Sequence, residues 1–69
     1  MTRDEQVRIA TAFAETKGIP VDRYKVGSVR MEGTTAHVLF VNDTGAPGDH
    51  FTVTVDAVKG AAVGLMPGR

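Results

Sequence analysis

Gly18-Ile19-Pro20 divides this chain more sharply than any other feature. Glycine accepts the left-handed conformation that closes a helix, and a proline two residues on cannot continue one. Upstream of that break the spacing is helical. Thr2 and Glu5 have the Thr-x-x-Glu spacing of a capping box, so a helix is predicted over 3–17. Val7, Ile9, Ala10, Phe13 and Ala14 recur every three to four residues as an apolar stripe, leaving Arg3, Asp4, Arg8, Thr11 and Glu15 for solvent. Lys17 suits the negative end of the helix dipole.

Downstream of the break the chain reads as strand and turn. Tyr24 to Met31 is strand-like, and Glu32-Gly33 offers a two-residue hairpin turn. Thr35 to Val41 is apolar on both faces, which places it in the middle of a sheet. Residues 42–48 are dense in turn formers. His50 to Asp56 then alternates, Phe51, Val53 and Val55 pointing one way and His50, Thr52, Thr54 and Asp56 the other. After a turn over 57–60, Ala61 to Met66 forms a short fourth strand or a tail, with Gly64 weakening it. The class is α+β: one N-terminal helix packed on an antiparallel meander of three or four strands, a single domain over 1–69. At 69 residues a second domain is excluded. A chain of this size buries only about 60% of its unfolded surface, and without cysteine it has no disulfide to help, so self-association is an expected aid.

A Glu32-Gly33 turn pairs Val29 with Ala36 on one face, and Val26 with Leu39 and Tyr24 with Val41 on the other. One helix covers one face. The opposite face is then expected to expose Tyr24, Val26, Leu39 and Val41 with His37 at the rim, as a surface for protein contact. The competing expectations are a tail folded over that face, or a register shifted by one residue that exchanges the faces.

Other chemistry lacks its residues. His37 and His50, the two histidines, fall four residues out of line on neighbouring strands, roughly 13 Å, too far for joint metal ligation, and no metal or cofactor is expected. Asp49-His50 has no nucleophile beside it and adjacent strand residues point apart, so no catalytic residue is assigned. Gly45-Ala46-Pro47-Gly48 lacks the Lys-Ser/Thr of a phosphate loop and reads as a strand connection. Tyr24 and Phe40 fall on opposite faces in the expected register, which defeats a base-stacking platform. Eight basic residues balanced by eight acidic ones argue against nucleic acid as a partner, and no apolar run is long enough for a membrane. The charged start and the lack of cysteine make the cytoplasm the expected location.

The order helix, hairpin, strand and final turn, with Val53, Val55, Asp56 and Gly60 at the end of the alternating strand, resembles small cystatin-like modules. The likeness is nearest to PepSY-type domains and to the short immunity-protein branch of nuclear-transport-factor-like folds, where such a strand runs into an Asp-x-x-x-Gly turn. Lys59 stands where those domains usually carry threonine. The resemblance implies a non-enzymatic binder: an inhibitor, an immunity-like protein or a regulatory module. The expected function is therefore protein–protein interaction through the open sheet face, with a homodimer as its simplest form and another protein as a further partner. The alternative is small-molecule binding in an apolar pocket between helix and sheet or between protomers.

Overall fold

The computed structural model describes residues 1–45 and 49–68. Helix α1 spans Arg3–Thr16, and the capping box forms: the Thr2 hydroxyl accepts from the Glu5 amide at 3.2 Å and Glu5 Oε1 accepts from the Thr2 amide at 3.0 Å. Those bonds favour the charged carboxylate, so Glu5 titrates below its usual range. At the other end Gly18 has φ 81 and Ile19 donates its amide back to the Ala14 carbonyl, closing the helix where the sequence predicts.

A 3-10 turn, Val21–Arg23, leads into a four-stranded antiparallel sheet of β1 Tyr24–Glu32, β2 Thr35–Asn42, β3 His50–Asp56 and β4 Ala61–Pro67, ordered β1-β2-β3-β4. The C-terminal segment is thus an edge strand and does not fold over the open face. The α+β meander is the expected one; the β1–β2 register is not. Gly33 and Thr34 are the central residues of the turn, Glu32 pairing with Thr35. Gly33 has φ 64 and, among the described residues, none other than glycine has a positive φ, which is the sign pattern of a type II′ hairpin with glycine first. This moves the register by two residues, so Val29 meets Val38 and stays on the expected face.

Below Val29 the faces change. The pairing slips between Val26 and Ser28, leaving Gly27 as the extra residue of a bulge, and Val26 meets Phe40 while Tyr24 meets Asn42. The expected pairs Val26–Leu39 and Tyr24–Val41 do not form. A second bulge, between Thr54 and Val55, leaves Val63 of β4 unpaired. Both edge strands are therefore kinked, which discourages edge-to-edge pairing with another sheet.

Helix α1 lies on the face made by Ala36, Val38 and Phe40 of β2 and Phe51, Val53 and Val55 of β3, all buried. The contact stripe of the helix is Gln6, Ala10 and Ala14, four residues apart, and the two alanines let the backbone come close to the sheet. Val7, Ile9 and Phe13 pack at the margins half-exposed. Gln6 lies on the same stripe, and its amide finds a soft acceptor in the Met31 sulfur at 3.4 Å. Phe40 and Phe51 stack with centroids 4.8 Å apart, and Tyr24 meets Phe51 edge-on at 5.0 Å.

Candidate interaction surface

Four cross-strand rows make up the face turned away from the helix, and the pairings place each residue. At the hairpin end stand Glu32, Thr35, Asp56 and Ala61. The next row is Arg30, His37, Thr54 and Gly64, followed by Ser28, Leu39, Thr52 and Met66. The last is Lys25, Val41 and His50. Alternation along β2 and β3 puts Leu39, Val41, Thr52 and Thr54 here, because their neighbours are held by the core.

Of the five residues expected to form a contact surface, the structure brings three together. His37, Leu39 and Val41 share the open face along β2. Tyr24 and Val26 are corrected to the helix side, where both pack half-buried against the core. The cause is the Gly27 bulge, which turns the start of β1 over by one residue. The same bulge brings Lys25 onto the open face. Gly27 is also a packing requirement: a Cβ there would lie 3.2 Å from Val41 Cγ1 and 3.4 Å from Leu39 Cδ2. The bare glycine backbone lets those two side chains lean across β1.

Met66 and Arg30, which are not among the five residues expected there, also belong to this surface. Met66 is 72% exposed and extends the apolar strip from Leu39 across Thr52 to the edge strand. A hollow of about 160 Å³ between the two middle rows is lined by Ser28, Arg30, His37, Leu39 and Thr52. His37 Nε2 lies 3.2 Å from Glu32 Oε1 on the same face. His50 lies four residues along from His37, as expected, and among the described residues no three metal-binding side chains converge.

Tyr24 has a different task. Its hydroxyl donates to Asp49 Oδ1 at 2.6 Å while the Asn42 amide donates to Asp49 Oδ2 at 2.8 Å, so one carboxylate ties β1, β2 and the residue before β3. The backbone N–H of Asn42 also donates to the Asp49 carbonyl. This tie closes the two ends of the loop between β2 and β3, of which 46–48, including the Ala46-Pro47-Gly48 part of the expected connection, lie outside the described residues. A second hollow, about 380 Å³, lies beside it, lined by Asp22, Arg23, Asn42, Asp43 and Thr44. The Asn42 Oδ1 there is already taken by the Thr44 amide and hydroxyl.

The hydrogen bond to Asp49 and its charge both favour the neutral phenol, so Tyr24 titrates above the usual tyrosine value. A raised pKa in an acid means that stability is complete below the unfolded value of about 10 and is lost as pH rises through the folded one. Tyr24 is the only tyrosine and there is no tryptophan, so the ultraviolet absorbance of tyrosinate reports this residue alone. The expected result is a midpoint above that of free tyrosine in the native chain, falling toward it in Asp49→Asn. Identical midpoints in the two proteins would contradict the tie.

No helix among the described residues is long and apolar enough to cross a membrane. Compared with known proteins, the chain matches no family model, no curated protein and no solved structure.

Proposed function

We propose that this chain is a non-enzymatic protein–protein interaction module that works through its open sheet face and associates with itself. The observation that supports this reading is the composition of that face: Leu39, Val41 and Met66 form an apolar strip on a surface no other described element covers, bordered by charges of both signs. Apolar strips with a polar border are what interfaces present. The chain's formal net charge of zero removes the long-range repulsion that would oppose pairing of like copies. The inhibitor, immunity-like or regulatory role that the cystatin-like resemblance implies is carried in the same proposal, with the cytoplasm, expected from the charged start and the lack of cysteine, as its location.

A ligand pocket between helix and sheet has less room. Ala10, Ala14, Ala36, Val38, Val53 and Val55 have no accessible surface at all, so no water-sized space touches any of them. The test is the mass in solution by light scattering from micromolar to millimolar protomer, together with the thermal midpoint over the same range. Self-association predicts that mass and midpoint rise together with concentration. A constant monomer mass with a constant midpoint would defeat it.

A further inference from the structure

The four rows of the open face are complementary to themselves under one rotation. Two copies packed face to face about a two-fold axis can be arranged in two simple ways. If the axis runs along the strands, row lies on row. Glu32 and Asp56 of both copies then crowd one end, and Lys25 and His50 of both crowd the other. If the axis runs across the strands, each strand lies over its own copy and the rows reverse. Glu32 then faces Lys25 on β1, and Asp56 faces His50 on β3, at both ends of the interface.

Size follows the same rule. With the rows reversed, Arg30 lies over Ser28 and Met66 over Gly64, so that a large side chain meets a small one at each margin. Stacked sheets sit about 10 Å apart, a gap that a lysine and a glutamate bridge together. Four strands about 4.8 Å apart and four rows about 6.7 Å apart make a face of roughly 20 by 25 Å, or about 1,000 Å² over two copies. That lies at the lower limit for a specific interface, which points to a reversible dimer of modest affinity.

Resting on the self-association reading above, we infer that the partner of the open face is a second copy of this chain, docked antiparallel so that Glu32 of each copy meets Lys25 of the other. Both residues are exposed, and neither touches the core, so exchanging their charges leaves the fold intact. Lys25→Glu alone places two acids opposite each other at both ends, and Glu32→Lys alone does the same with two bases. An equal mixture of the two variants restores both attractive pairs in the mixed dimer.

The experiment compares native chain, each variant and the mixture by sedimentation equilibrium at low salt. The expected result is about tenfold weaker association for each variant alone, the scale of reversing two exposed ion pairs, and recovery to within about threefold of native in the mixture. A native chain that dimerises while the mixture associates no better than its components would overturn the antiparallel docking and leave the interaction reading standing. A native chain that stays monomeric to millimolar concentration would overturn both.

Discussion

Phe51→Ala should remove a large part of this protein's stability. Phe51 is 4% exposed, stacks on Phe40 at 4.8 Å and receives the edge of Tyr24 at 5.0 Å. It is the aromatic that joins β3 to both β2 and the start of β1. Truncating such a residue costs about 3–5 kcal/mol in lost transfer energy and cavity formation. A chain of this length has a total of only about 3–10 kcal/mol at the usual stability per residue. The rest of the core cannot collapse into the space, because Ala10 and Ala14 on the helix are already small and the sheet backbone is fixed by its ladders. Circular dichroism should show the thermal transition lowered by roughly 15–40 °C or absent from the start. Phe51→Leu, which keeps most of the volume, should lose no more than about 1.5 kcal/mol and retain a cooperative transition. A fully cooperative Phe51→Ala within a few degrees of native would mean that the aromatic cluster is not what holds β1 to the sheet.

The parts of the fold that were legible in the sequence are those in which one signal decides one element. Thr2 with Glu5 starts the helix, Gly18-Ile19-Pro20 ends it, and the alternation from Phe51 to Val55 orients β3. What the hairpin reading missed was a change of phase. The inward residues of β1 are Tyr24 and Val26, then Val29 and Met31: two even positions followed by two odd ones, with Gly27 between. A strand that alternates strictly cannot bury both pairs on one side, so the parity break together with an interior glycine signals a bulge. The same break recurs on β4, where Ala62 and Leu65 both pack inward across Val63 and Gly64. The face that carries the candidate surface was therefore readable on β2, which has no bulge, and not on β1. His37, Leu39 and Val41 follow from alternation alone, as does Arg30 beside Val29, whereas Lys25 depends on the bulge at Gly27 and Met66 on the one at Val63. Gln6 was hidden for another reason. Its position in the 6-10-14 stripe marks it as core, but only the Met31 sulfur opposite it shows how its amide is satisfied.

The second large effect is expected at Leu39, in the middle of the open face. Its side chain lies half-buried between Ser28 and Thr52 and against the Gly27 backbone, with no contact to the helix side. Lysine tests the surface better than aspartate does. An acid at this position would have Arg30 and His37 of its own face as neighbours and would find partners there, whereas a base adds repulsion to the loss of apolar area. Leu39→Lys should weaken self-association by at least about 100-fold, the scale of leaving an unpaired charge inside an interface. The folded monomer should survive, because the substitution lies on a solvent-facing position of a strand, where side-chain identity is worth about 1 kcal/mol. Sedimentation equilibrium gives the first quantity and the thermal midpoint at micromolar protomer gives the second. A variant that still dimerises like the native chain would remove Leu39 from the interface and move the search to the exposed edge of β4. One that loses its thermal transition altogether would show that Leu39 serves the fold, since a residue used only for contact leaves the isolated domain cooperative.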